Sequence, residues 1–196
     1  MASELEYRLG QVEKEIKKIK EEFYKKDLIV VPLRDDAIIP RYAHDGDSGL
    51  DLYTVEPCTL KPGETKIVPT GIAFVIPKTA NRTFDMTVKG RSGNDSKGLN
   101  VITTKMVFDE KQGDYEVDEI EECDVSIKQG TVDNIYTGEV GIITKNNSYK
   151  TITIAAKTKL AQAIIREAIL VNVVEGTKED IPKTARNAEG YGSTGV

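Results

Sequence analysis

The apolar positions of this chain follow two different periods. From about Ser3 to Lys26, Leu5, Leu9, Val12, Ile16, Ile19 and Phe23 recur at spacings of 4, 3, 4, 3 and 4 residues, with flanks that are almost all Glu and Lys. That alternation predicts a helix with the narrow a/d seam of a coiled coil. Leu9, Ile16 and Phe23 fall at a, and Leu5, Val12 and Ile19 at d; β-branched residues at both positions favour three or more strands over two. The other reading is an amphipathic helix packed on its own domain. Three heptads are marginal alone, so a coiled coil here needs an oligomeric domain behind it.

From Leu28 the period shortens. Apolar or alternating runs at Ile29–Leu33, Gly49–Val55, Lys66–Val68, Ile72–Ile76, Thr83–Val88, Val140–Thr144, Thr151–Ala155 and Ala163–Val174 are separated by turn formers such as Pro62-Gly63, Pro69, Pro77 and Asn146-Asn147. Many short strands at regular spacing predict an all-β barrel or jelly roll. The stretch 181–196 is polar and ends in Gly190-Tyr191-Gly192-Ser193-Thr194-Gly195. It holds too little apolar surface to fold alone, which predicts a mobile arm. The expected organisation is a helix over 1–27, a β-domain over 28–180 and an arm over 181–196.

Composition narrows the function classes. Of 196 residues, 39% are hydrophobic and 30% charged, which suits a soluble globular chain. The net charge of −5 argues against a nucleic-acid binder, although a locally basic site can still take a polyanion. No apolar run approaches the roughly 20 residues of a membrane span, and the charged N-terminus is not a signal peptide, so a cytoplasmic protein is expected. Cys58 and Cys123 lack metal-ligand spacing; they suit a reducing compartment, with a disulfide between them left open. With His44 as the single histidine, neither a His-based metal site nor a Ser-His-Asp triad is expected.

Four segments can carry chemistry. Gly90-Arg91-Ser92-Gly93 combines close backbone approach, a guanidinium fork and a hydroxyl, as a phosphate cradle requires, though most such turns are only turns. Gly130 to Gly141 reads as a strand, a tight turn and a returning strand with Asp133 and Tyr136 bracketing the turn; the plainer reading is an ordinary hairpin. Such a hairpin can offer backbone groups to a flat base, an aspartate to polarise water, and a ring to pack under a sugar. Gln162 interrupts the apolar strand after Lys159-Leu160-Ala161, so it is either a structural hydrogen-bond hub or a ligand contact. The tail offers Arg186, Tyr191, Gly192, Ser193 and Thr194, which can close over phosphates and stack on a base, or remain a disordered terminus.

In this order, and with Ser48-Gly49-Leu50-Asp51-Leu52-Tyr53, Pro62-Gly63 and Val68-Pro69-Thr70-Gly71-Ile72-Ala73, these segments resemble the trimeric dUTP pyrophosphatase (dUTPase) family from about Leu28 to Val196. The resemblance implies a dUTPase-like jelly-roll (β-clip) fold and hydrolysis of dUTP to dUMP and pyrophosphate by water attacking the α-phosphorus. It implies that Asp133 activates that water and that Tyr136 packs on deoxyribose, excluding a 2′-hydroxyl. The surrounding backbone would read uracil. Arg91, Ser92, Gly93 and Gln162 match phosphate-binding positions, and Asp51 an aspartate near the metal–triphosphate end. Arg186, Tyr191, Gly192, Ser193 and Thr194 match the closing arm, with Tyr191 stacking on uracil. Mg²⁺ is implied, carried mainly by the substrate, as is a homotrimer whose sites are shared among subunits. A lone protomer would be inactive.

Three departures stand out. Tyr191 replaces the family's usual Phe, Ile135 replaces a common second aspartate, and 36 positions separate Lys97 from Asp133. The excess falls in Thr103–Ser126, an acidic stretch expected to form a hairpin around Gln112-Gly113; it reads as a solvated face or as a docking site for a protein partner. Two rival functions are weighed. The related dCTP deaminases would need a glutamate where Ile143 stands. A nucleotide-gated interaction protein on the same fold would signal through the acidic stretch or the N-terminal helix.

Overall fold

The computed structural model describes residues 2–23, 27–78 and 82–184. It opens with helix α1 (Ala2–Phe23). Strands β1 (Ile29–Pro32), β2 (Leu50–Tyr53), β3 (Cys58–Leu60), β4 (Thr65–Val75) and β5 (Thr83–Gly90) follow. The short helix α2 (Ser92–Lys97) precedes β6 (Leu99–Val107), β7 (Tyr115–Cys123), β8 (Val125–Ile127) and β9 (Gly130–Val132). Strands β10 (Glu139–Asn146), β11 (Ile152–Ile154) and β12 (Lys159–Ala168) complete the described β-structure, with one 3₁₀ turn at Lys178–Asp180.

The strands form three four-stranded sheets, ordered β1-β4-β10-β8, β3-β11-β6-β7 and β2-β12-β5-β9. Each sheet turns alternate apolar side chains into one shared core: Val68 and Ile142 from the first, Leu60, Ile152 and Ile154 from the second, Leu52, Met86 and Leu160 from the third, all buried. The all-β expectation therefore holds, with the apolar alternation of each run setting which face points inward.

Several runs differ from their sequence reading. Lys66–Val68 and Ile72–Ile76 are parts of one strand, β4, which runs through Pro69. Pro69 lacks an N–H, but the ladder to β10 shifts register between Glu139 and Gly141 at this point. The Thr70 hydroxyl donates to the Val140 carbonyl, and the Gly71 N–H donates to the Glu139 carboxylate at 2.7 Å, so the polar groups around the bulge are satisfied. Gly71 has a φ of +70° and closes against Val55 and Ala37, where a Cβ would not fit. The run Ala163–Val174 is shorter and earlier than expected: β12 ends at Ala168, opposite the first residue of β5, and among the described residues no strand continues the ladder beyond. Ile169, Leu170, Val171, Val173 and Val174 consequently stand exposed.

The segment Gly130–Gly141 is not a hairpin. β9 pairs with β5 in one sheet, while β10 pairs with β4 and β8 in another, so the chain crosses between sheets at the turn. Alternation identifies a strand but not its neighbour, which is why the sequence suggested the nearest return partner. The acidic stretch does form a hairpin, β6 against β7, in continuous register from Leu99↔Cys123 to Val107↔Tyr115. Its turn carries Gly113 at φ +81°, with the Lys111 and Gln112 N–H groups donating to Asp109. The arms reach further down than Thr103, and Cys123 and Val125 at their base are core residues.

On α1, Leu9, Val12 and Ile16 are 60%, 49% and 46% exposed, so the described residues do not cover this part of the seam. The side chains of Leu5, Ile19 and Phe23 lie outside the described residues, as do Arg186, Tyr191, Gly192, Ser193 and Thr194 of the expected closing arm. Cys58 and Cys123 are free thiols, and burial pushes both up from their ordinary pKa, so they stay protonated near neutrality. Among the described residues no helix is long and apolar enough to cross a membrane.

Candidate active site

Two cavities collect the residues singled out by sequence. The first, about 300 Å³, is lined by Asp51, Arg91, Ser92, Gly93 and Gln162 together with His44, Asp47, Ser48 and Gly49. Its floor comes from three adjacent strands: Gln162 on β12 lies level with Asp51 on β2 and with Lys89 on β5. Arg91, Ser92 and Gly93 follow directly where β5 turns into α2.

Asp51 is buried and holds two cations, Arg91 Nε at 3.0 Å and Lys159 Nζ at 2.8 Å. This pairing fixes the guanidinium fork and raises the Lys159 pKa, chiefly through the hydrogen bond to Asp51, so Lys159 is a firm cation. Gln162 Nε2 donates to the Gly90 carbonyl at 2.8 Å. One of its two amide N–H groups is thereby used locally, which leaves the other for the cavity. Gly49 makes this placement possible: a Cβ there would lie 2.4 Å from Gln162 Oε1. The hub and ligand-contact readings of Gln162 are thus compatible in one side chain.

The second cavity, about 340 Å³, is lined by Asp133 and Tyr136, by β9, and by Val88, Val140, Gly141 and Ile143. The loop is held from below, Asn134 Nδ2 donating to the Ile76 and Pro77 carbonyls at 3.0 Å each. The Tyr136 N–H donates to the Asp133 carbonyl at 3.0 Å, and its hydroxyl donates to the Glu139 carbonyl at 2.9 Å. The ring folds back over Gly138, where a Cβ would come within 2.6 Å of the hydroxyl oxygen. Asp133 is exposed at the mouth, and Ile135 projects into solvent. This arrangement gives a slot walled by Val88, Val132, Val140 and Ile143, with the exposed Asp133 among its lining residues.

The two cavities share no lining residue. Strand register gives their separation. Val132 lies opposite Met86, so Asp133 falls level with Asp85, six residues along β5 from Arg91. At strand spacing that is roughly 20 Å. One protomer therefore does not bring Asp133 to the Arg91 cavity.

His44, Asp47, Gly49, Lys159, Asn134 and Gly138 are the site residues that sequence reasoning passed over. Gly49 and Lys159 stood inside quoted motifs, but nothing local marked them as supports. Among the described residues no cluster of three or more His, Cys, Asp or Glu side chains is placed to hold a metal ion. Both Asp51 oxygens are engaged by cations, so the donor set fits a metal brought in by a ligand rather than a resident ion.

A family model described as dUTPase matches residues 35–131 and 119–195. The deoxyuridine 5′-triphosphate nucleotidohydrolase of Clostridium novyi (strain NT) is 34% identical over 170 residues, covering 86% of this chain and 99% of that protein. The dUTPase of Staphylococcus bacteriophage 80alpha, solved with dUPNHPP, superposes with a TM-score of 0.67 at 23% identity, over 88% of this chain and 100% of that one. A mutant dUTPase from phage phi11 of S. aureus, solved with a structural Mg(II) ion, gives a TM-score of 0.59 at 23% identity, over 78% and 97%. An all-β nucleotide-hydrolase fold is the class these matches define. The chain belongs to the dUTPase family.

Proposed function

We propose that this chain hydrolyses dUTP to dUMP and pyrophosphate in sites built jointly by three copies. The reading is carried by one observation: both cavities fall on family-matched segments, yet lie roughly 20 Å apart by strand register within a protomer. A site that needs Asp133 beside the phosphate cavity closes only when another copy supplies one of the two. The exposed apolar run Ile169–Val174, which the described residues leave uncovered, supports such an assembly.

In this reading the slot under Tyr136 takes the deoxyuridine, its backbone groups reading the base. The ring and Gly138 leave no room for a 2′-hydroxyl. Arg91, Ser92, Gly93 and Gln162 of a second copy hold the phosphates, with Asp51 and Lys159 fixing Arg91. Asp133 accepts a proton from the water as it attacks the α-phosphorus, and pyrophosphate leaves. Mg²⁺ on the triphosphate, when bound, neutralises phosphate charge. Arg186, Tyr191, Gly192, Ser193 and Thr194 of the tail are assigned to closing the site and excluding bulk water. The absent glutamate at Ile143 speaks against deamination, and a cytosolic location fits the free thiols.

The test is pyrophosphate release on dUTP, dCTP, dTTP and UTP, for the wild type and for Asp133→Asn. Turnover confined to dUTP is expected, falling on the order of 10²- to 10⁴-fold in Asp133→Asn with nucleotide binding retained. An unaffected rate would remove Asp133 from its role.

A further inference from the structure

Helix α1 presents a face that no other described residue covers. Leu9, Val12 and Ile16 are consecutive a, d and a positions, and all stand exposed on a helix of 22 residues. Flanking them, Arg8 and Glu15 occupy g positions, and Glu13 and Lys20 occupy e positions. In a parallel coiled coil each g residue meets the e residue five positions later on the next helix. Arg8 then meets Glu13, and Glu15 meets Lys20; both pairs are opposite in sign. In a fully overlapped antiparallel arrangement g meets g and e meets e instead. That would set Glu15 on Glu15 and Glu13 on Glu13 at the centre of the helix.

We propose that α1 is a charge-keyed self-association element: three copies of this chain join their α1 helices in parallel and in register. Val12 and Ile19 at d, with Ile16 at a, disfavour a two-stranded coil, and the shared-site reading sets the number at three. Only that number leans on the shared-site reading above; the polarity and the pairing stand on the helix alone. Arg8 and Glu13 are five residues apart, too far for a contact within one helix, so their complementarity has a function only between helices.

The experiment uses the full chain, with sedimentation velocity in a dilution series at the urea concentration that half-dissociates the wild type. E13R sets like charges against Arg8 at all three interfaces. It should raise the concentration at which trimers dissociate by about tenfold. Adding R8E should restore association to within about threefold of wild type. Within a single helix the second change only adds repulsion, since R8E loses an i,i+4 partner in Glu4; a helix acting alone therefore predicts further weakening. A double variant that dissociates as readily as E13R, or an E13R chain that dissociates like the wild type, overturns the proposal. Far-ultraviolet dichroism of the same samples checks that each variant folds. Turnover of dUTP at high protein concentration, expected to be unchanged, tests the shared-site reading separately.

Discussion

Gly49→Ala is the sharpest perturbation the site offers, because the three atoms nearest the new methyl all belong to one neighbour. A Cβ at this position would lie 2.4 Å from Gln162 Oε1 and 3.1 Å from Gln162 Cβ and Cδ. Rotating the amide relieves the Oε1 contact but leaves Cδ in place, so Gln162 must leave its rotamer and release the Gly90 carbonyl. Losing that hydrogen bond costs about 1 kcal/mol and the displaced rotamer about 0.5–1.5 kcal/mol. If the remaining Gln162 N–H donates to a phosphate, its loss removes a further 1.5–3 kcal/mol of binding to a charged group, roughly 10- to 100-fold in kcat/KM for dUTP. The assay is a double-mutant cycle: steady-state pyrophosphate release for wild type, G49A, Q162A and G49A/Q162A. In the Q162A background Oε1 and Cδ are gone and only the Cβ contact at 3.1 Å remains, so the second substitution should cost less than about twofold. Full additivity of the two losses would refute the argument that Gly49 acts by seating Gln162.

Four further outcomes follow from the same geometry. Gly138→Ala should push the Tyr136 ring from its seat, and the preference for dUTP over UTP should fall by about tenfold while Asp133-dependent chemistry persists, read by kcat/KM on both nucleotides. Chelating Mg²⁺ should raise the KM for dUTP far more than it disturbs the fold, checked by turnover and by melting with and without EDTA. Lys150, and then Thr103, hold the Glu121 carboxyl below its ordinary value of 4.5. Because the folded pKa is depressed, this stabilisation is complete above about pH 4.5 and is lost as pH falls through the depressed value; E121Q should flatten that limb of an acid melt. Replacing Lys105–Val117 by an Asn-Gly turn, joining the opposed Thr104 and Asp118, should leave turnover within about twofold, whereas deleting Thr103–Ser126 should unfold the chain because it removes buried Cys123 and Val125.

What was legible in the sequence was whatever a local pattern determines. The alternation around Leu52, Met86, Ile142 and Ile152 marked strands and their inward faces, since burial on one side imposes a period of two. The 3/4 spacing before Lys26 marked α1. Partner choice was not legible. Gly130–Gly141 carries the signature of a hairpin, but Asn134 anchors the turn to Ile76 and Pro77, and β9 and β10 join different sheets. The single strand through Pro69 depends on a bulge whose satisfaction comes from Thr70 and Glu139, neither of which advertises it. In the site, groups with a chemical identity of their own, Arg91, Asp133, Tyr136 and Gln162, stood out. Supports such as Gly49, Gly138 and Lys159 did not, because their role is to leave space or to balance charge for a residue distant in sequence.

Charge balance explains how an acidic chain can take a polyanion. The first cavity sets Arg91 against Asp47 and Asp51, with Lys159 paired to Asp51 from behind, so it holds no surplus of fixed positive charge. Without ligand that balance is favourable: a cluster of unpaired cations would repel within a half-buried pocket, and Asp51 prevents this by pinning both. With a triphosphate bound, the balance turns to a deficit. In the proposed reading the missing charge arrives with the substrate as Mg²⁺, and from Arg186, rather than residing in the pocket. On that reading a cavity that is neutral until its ligand arrives would discriminate for the complete substrate, because a nucleotide with fewer phosphates brings less cation and would give Arg186 less charge to pair with.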